Sequence, residues 1–560
     1  MSHARGDVRL LYAGIALSAG MAAGPVRAAV PDFSDTRPIG PRQLLDPLPT
    51  ERPDVPEIHF GVFRPFNAID RFILLRLQEQ KMRPKKLCND WDFARRASLD
   101  LVGVIPKVED LERYFKWKPR LRREKWVALL LRQQQYADHW TVFWGNLLRE
   151  RGRVRGVPPD TLKRLIHRNL SENRPFDQWV RDLLTASGPA DQNPAVAFVL
   201  QDRADAATLT VSVSETFLGV QLKCAQCHNH PFDWWTQQDF LGMTRFWSGT
   251  RGNVYRTEER KTPDGRTFRI PFLEVRTEGN QADGVFLTGA TSKLGRGRAA
   301  LAELLTRRDN PYFARVTVNR LWTKLMGVGL VNPPSNFSAL NPPSHPFLLD
   351  WLALELIDSG YDLKHLLALI ANSRTYQQTS SEPKRRHAAR RRARKAGDEP
   401  EDKALFEGMI LRRMSAEQVY DSILVATGHY RSAGIPPSID ITYPPPPQSF
   451  LRTFGASDRL TILPQPKDGS IQQTLTLLNG GFLNWAVRLH PDHPIRHWQR
   501  SRGLNLGQMI DALFYQILTR PPTAQERRRA LAYVGNGTAD QAWEDLQWAL
   551  FNTREFQFIR

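Results

Sequence analysis

Cysteine is scarce in this chain, with three residues in 560. A disulfide framework is therefore excluded as its main support, and 41% hydrophobic residues over this length suffice for two or three domains with substantial cores. One C-x-x-C pair occurs and no second, so the doubled thiolate spacing of many zinc modules is missing. A Walker loop, G-x-S-x-G and H-E-x-x-H are missing too, which removes the signatures of familiar nucleotide enzymes and hydrolases. Past the first thirty residues no run reaches the roughly 18 apolar residues of a spanning helix, so no transmembrane helix is expected in the mature chain.

Acidic residues are outnumbered, and the formal net charge is +20. An excess of this size suggests nucleic acid or an acidic surface as partner. Its distribution argues against nucleic acid. Eight of the basic residues fall in KRRHAARRRARK, residues 384–395, with acidic DEPEDK close behind, the composition of a solvated, flexible linker over 381–404. No nucleic-acid partner is expected, and peripheral association with an acidic surface stays open.

The chain opens on basic MSHARGDVR, continues with apolar LLYAGIALSAGMAAG and reaches VRA at Ala28. A basic start, a short apolar run and a small-residue cut predict a cleaved export signal over 1–28 and a periplasmic or extracellular protein. That compartment permits disulfides, and in bacteria it is where c-type haem is attached.

After an extended stretch, 29–58, the pattern becomes helical. AIDRFILLRLQEQ sets Ile69, Phe72, Ile73, Leu75 and Leu77 largely on one face, and REKWVALLLRQQQYADHWTVFWGNLLR repeats Trp126, Leu129, Leu130, Trp140, Phe143, Trp144 and Leu147 at spacings of three and four. His139 and His167 within this region are expected to pack or cap rather than ligate.

The chemistry concentrates in GVQLKCAQCHNHPFDWWTQQDF, residues 219–240. A helix, TLTVSVSETFLGVQL, is expected to run up to it, and a second is expected to start at Thr236, where T-Q-Q-D resembles a capping box closed by Asp239. Cys224 and Cys227 then sit in the joint between two helices. Two thiols at this spacing can add to both vinyl groups of one porphyrin, with His228 as axial ligand to the iron, so the first expectation is covalent haem c. A zinc site using Cys224, Cys227 and His228 or His230 with a remote ligand is the alternative. A redox disulfide or a purely structural loop also stays open, although the helical flanks are unlike the βαβ setting of thioredoxins. His230, only two residues from His228, can hardly reach the opposite haem face and is expected to support the site as a hydrogen-bond donor, with Asp233 able to orient it or another ring nitrogen. Met243, about two turns into the following helix, reaches the far side of a porphyrin only if that helix folds back, and is otherwise a core methionine. Cys88 is left without a partner.

FLGVQLKCAQCHNHPFDWWTQQDF resembles the signature of planctomycete cytochrome-c-associated proteins, which pair two domains of unknown function, often behind a cytochrome c module. NPYFARVTVNRLWTKLMGVGLVNPPSNFSALNPPSHPFLLDWLALEL, LIANSRTYQQTS and the stretch from ILTRPPTAQERRRALAY to FNTREFQFIR resemble the partner domain. The resemblance spans about residues 60–560 and implies a secreted, mainly helical protein of unassigned activity. Two departures are visible. The cytochrome module is not seen, which leaves C-A-Q-C-H as the haem candidate. Where the family commonly has a basic residue and Phe-Asp-Pro, this chain has Pro231, Phe232, Asp233, Trp234 and Trp235.

Beyond the loop, Thr267, Phe268, Ile270, Phe272, Leu273 and Val275 follow turn-forming Pro263, Asp264 and Gly265, which predicts a β-hairpin within 250–296. Asn319, Arg320, Trp322, Ser344, His345 and Asp350 are candidates for a pocket, against the commoner roles of caps, aromatic packing and buried ion pairs. RSAGIPPSIDITYPPPPQSFLRTFGASDRLTILPQPKDGS is a proline-stiffened extended segment, with Phe450, Leu451 and Phe454 apolar enough to be buried.

These readings combine into a mainly α protein of two packed helical domains, 59–249 and, from 297, 297–380 continued by 405–560, with a hairpin insertion between them and a proline-rich segment in the second. The expected role is electron transfer or another haem-dependent redox step with an envelope or secreted protein partner. A scaffold with a structural or zinc-binding loop, and an enzyme on an envelope or extracellular substrate, are the alternatives.

Overall fold

The computed structural model describes residues 45–560 except 59, 62, 262, 263, 265, 382–403, 433, 434, 461–468 and 536–538. The expected export signal, part of the 29–58 stretch and nearly all of the charged linker lie outside the described residues. Helices dominate, and strands are few. No helix among the described residues is long and apolar enough to cross a membrane.

The helix Asp90–Val102 is buried from Phe93 onward. It starts where the Asn89 side chain accepts the Asp92 N–H at 2.8 Å and stops at Gly103, whose φ of 76° favours glycine. Its charged residues look inward. Arg95 donates to the carbonyls of Ile517 at 3.0 Å and Phe556 at 2.6 Å. Arg96 donates to the carbonyls of Gln378 at 2.9 Å and Arg560 at 2.6 Å. Asp100, fully buried, accepts from Tyr376 Oη and the Arg412 guanidinium, both at 2.7 Å. One helix of the first half thereby gathers segments from across the second.

Apolar side chains from Leu48 to Ile559 form one continuous core that takes in both halves. Trp126, Trp140 and Trp144 are buried in it, as their periodicity predicts, and Trp179 joins them. Ile69, Phe72, Ile73 and Leu77 are buried likewise, whereas Leu75 is 37% exposed. At 100° per residue it falls off the face its neighbours share.

The predicted hairpin is present. Strands Thr250–Lys261 and Thr267–Thr277 pair antiparallel with a bulge between Val254 and Arg256, and Gly188–Pro189 pairs with the second strand, leaving Thr250–Lys261 at the edge. The next helix begins at Gly297. The proline-rich segment lies over the first half: Tyr443 O accepts the Gly152 N–H at 3.1 Å, and Arg459 forms a buried ion pair with Glu150 while its guanidinium stacks 3.7 Å from the Tyr443 ring. Leu451 is buried, and Phe450 and Phe454 are half-buried beside it in a satellite cluster with Val142 and Tyr420.

Replacing Asp100 by Ala strands the Arg412 guanidinium in the core and is expected to cost about 3–5 kcal/mol in a denaturant titration, with part recovered when Arg412→Met is added. Separately, His493 is fully buried at the start of the Pro494–Arg500 helix, where its Nδ1 accepts the Ile495 N–H at 3.2 Å. It is faced by His490, His429, Gln547 and Arg496. Burial first, then the neighbouring His490, pull its pKa down to about 3. The folded state thus keeps it neutral while the unfolded chain takes up a proton below about 6.5. Its stabilising effect is whole above pH 6.5 and lost as pH falls toward 3. His493→Asn keeps a capping side chain without the titration. Between about pH 6 and 4 its stability should fall by about 1.4 kcal/mol per pH unit less than the parent's, measured by urea unfolding across that range.

Candidate cofactor-binding loop

The helix expected to run up to the cysteines ends early. Ala206–Val213 is α-helical, Ser214–Leu218 widens into a π-turn, and Gly219 at φ 64° reverses the chain. The second half packs closely against this reversal. A side chain at position 219 would meet Phe337 at 2.7 Å and Val316 at 2.9 Å, and the Gly219 carbonyl accepts the Phe337 N–H at 2.9 Å. Val220 and Leu222 are then buried outside any regular element.

Cys224–Gln226 forms a 3₁₀ turn. With three residues per turn, side chains three apart stack on the same side, so Cys224 and Cys227 face one way while buried Ala225 anchors the turn to the core. Both thiols are exposed and neither is in a disulfide. His228 Nδ1 is 2.7 Å from the Asn229 carbonyl. A carbonyl only accepts, so Nδ1 carries the proton and the lone pair of the neutral ring is at Nε2, the form a metal-binding imidazole takes.

The remainder of the loop is stitched to itself and to the helix behind it. The His230 N–H donates to Trp235 O at 2.8 Å, and its Nδ1 accepts the Phe232 N–H at 3.2 Å. Burial holds the His230 imidazole below the usual histidine range, partly opposed by Asp233. Gln237 Nε2 donates to the Cys227 carbonyl at 3.2 Å, and Gln237 N–H to Asn229 Oδ1 at 3.1 Å. The helix Gln237–Thr244 begins with the predicted box: Thr236 Oγ1 accepts the Asp239 N–H at 3.2 Å and Asp239 Oδ2 accepts the Thr236 N–H at 2.9 Å.

Asp233 and Met243 are engaged elsewhere. Asp233 Oδ1 accepts the Trp234 N–H at 2.8 Å and the Ser338 hydroxyl at 3.0 Å, so its hydrogen bonds go to the backbone and the second half rather than to an imidazole. Met243, 1% exposed, belongs to the apolar core. Among the described residues no group of three or more His, Cys, Asp and Glu side chains is placed to hold a metal ion. The donor set for covalent haem, two unbridged thiols on one side of a turn followed by a tautomer-fixed imidazole, does fit.

The other candidates serve the fold. Asn319 donates to Val331 O at 2.8 Å and accepts its N–H at 3.0 Å, and Arg320 donates to the Thr216 carbonyl at 3.1 Å. Trp322 packs edge-on to Phe406, Asp350 pairs with Arg315 at 2.6 Å, and His345, held near pKa 3 by burial, has Nδ1 3.0 Å from Ser344 Oγ. His167 pairs with Asp138 at 3.0 Å, His139 is half-buried against Gly103, and Cys88 is buried. Sequence reasoning missed Ser335 and Ser338, which reach the loop from more than a hundred positions away.

Comparison with curated proteins finds no match, and comparison with solved structures finds none either. Family profiles do match. Residues 68–252 match PSCyt2, a protein of unknown function (DUF1549), and residues 297–448 match PSD1, a protein of unknown function (DUF1553). The C-x-x-C-H loop lies within the first match and its partner serines within the second, and the chain belongs to the planctomycete cytochrome-c-associated proteins that pair these two domains.

Proposed function

We propose that this chain is an exported c-type haem protein that passes electrons within a cell-envelope or secreted assembly. The observation that carries the reading is the pair of exposed, unbridged thiols of Cys224 and Cys227 on one side of a 3₁₀ turn, directly followed by His228 with its Nδ1 proton committed to a carbonyl. Each thiol S–H would add across one vinyl C=C of the porphyrin, and His228 Nε2 would ligate the iron. A haem so held supplies reversible one-electron transfer. The protein's part is to keep both sulfurs on one side, to hold the imidazole in one tautomer through Asn229 and to tie the turn down through Ala225. The basic start, apolar run and small-residue cut of residues 1–28 support export.

A second reading, haem-dependent chemistry on a small molecule, draws on the far coordination position. Met243, the sequence candidate for that position, lies in the apolar core.

Protein exported from a host with haem-attachment machinery should give a haem-stained band that survives boiling in denaturant, and Cys224→Ala with Cys227→Ala should abolish it. A colourless exported protein, above all one binding zinc stoichiometrically, would overturn the haem reading in favour of a scaffold or metal site. Carbon monoxide separates the two haem readings. Electron transfer requires a ferrous spectrum unmoved by the gas, and a shifted Soret band would give the function to small-molecule chemistry.

A further inference from the structure

We propose that the second domain is a working half of the C-x-x-C-H loop, with Ser338 as a positioning residue that acts through Asp233. The proposal rests on the reading of this loop as the functional site, but the contacts behind it are independent of any cofactor.

The loop leaves the first domain between two feet, and the second domain holds both. At the entry foot, Arg320 donates to the backbone carbonyls of Glu215 and Thr216 in the π-turn, which relieves carbonyls that a widened turn presents irregularly. Phe337 N–H closes on the Gly219 carbonyl at 2.9 Å, and Gln221 Nε2 reaches Ser335 Oγ at 3.3 Å. At the exit foot, Ser338 Oγ donates to Asp233 Oδ1 at 3.0 Å, with Ser338 6% and Asp233 9% exposed. These partners lie on the helix Phe313–Met326 and on residues 335–338 that follow it.

Between the feet, neighbours within the loop are joined to one another: Gln237 to the Cys227 carbonyl and to Asn229 Oδ1, and the His230 N–H to the Trp235 carbonyl. The Ser338 bond matters most because its acceptor is a carboxylate shielded from water. Such charge-assisted bonds are stronger than neutral ones, and a buried acceptor deprived of its donor must seek water by opening the surrounding chain. Asp233 also holds the Trp234 N–H, so loosening it releases the backbone that closes on His230 through Trp235 O. Residues of the second domain thereby fix how the two thiols and the imidazole are presented. This gives a physical reason for one chain to carry both domains.

The test uses the full chain without haem. Phenylarsine oxide, which bridges two thiols only when they can meet on one side, probes the Cys224–Cys227 pair, and amide hydrogen exchange probes residues 219–235. Ser338→Ala is expected to weaken arsenical binding about tenfold and to speed exchange across 230–235 at least tenfold, while exchange in the Asp90–Val102 helix stays as in the parent. Ser338→Thr, which keeps the hydroxyl, should restore both readouts, and Asp233→Asn should mimic the alanine variant in part. Parent-like arsenical affinity and exchange in Ser338→Ala would overturn the proposal, as would loosening spread evenly over the whole chain, which marks general destabilisation. Failure of the parent to acquire haem would refute the proposed function and leave this result standing.

Discussion

Guanidinium groups buried on the helix Asp90–Val102 are the constraint on which the architecture turns. Arg95 and Arg96 are 0% and 1% exposed, and they bind backbone oxygens of segments 280 to 464 positions away. A buried guanidinium left with empty donors is costly, so the helix cannot seat itself until those segments arrive. The continuous core from Leu48 to Ile559 follows from the same demand. Contacts of such sequence separation predict slow folding, with the first half incomplete until residues near 556–560 have docked.

Two further ties repeat the logic on a smaller scale. Arg459 and Glu150 bury opposite charges between the proline-rich segment and the first half, and burial pushes the Glu150 carboxyl up against the pull of Arg459. Asp233 and Ser338 bury a carboxylate and a hydroxyl between the cysteine loop and the second half. Each joins a segment of irregular backbone to a rigid helical body. A loop held this way can be exposed at its tip and still be ordered at its base.

Legibility in the sequence followed distance along the chain. Cys224, Cys227 and His228 are readable because a single short turn must supply all three donors, and the Thr236–Asp239 box is readable because capping is local. The tryptophan periodicity and the pairing of the two hairpin strands are local in the same sense. Arg95 and Arg96 look solvent-facing in sequence, because their partners are carbonyls and every residue has one. The π-turn at Ser214–Leu218 was illegible too, and the residues packed beside the glycine that ends it, Phe337 and Val316, lie about a hundred positions along the chain. Ser338 lies 105 positions from Asp233, and nothing near either residue names the other.

The hairpin edge has a consequence for how these molecules coexist. Thr250–Lys261 lies at the end of its sheet with one row of peptide groups facing no strand among the described residues. Such a row invites a strand from a neighbouring molecule and, through it, growth into a ribbon. Here the outer half of the strand reads Arg256, Thr257, Glu258, Glu259, Arg260, Lys261, and the bulge at Tyr255 twists it away from a flat template. An incoming apolar strand would have to desolvate five ionic side chains in six positions to gain its ladder. The arm can therefore project into a crowded compartment and remain solitary.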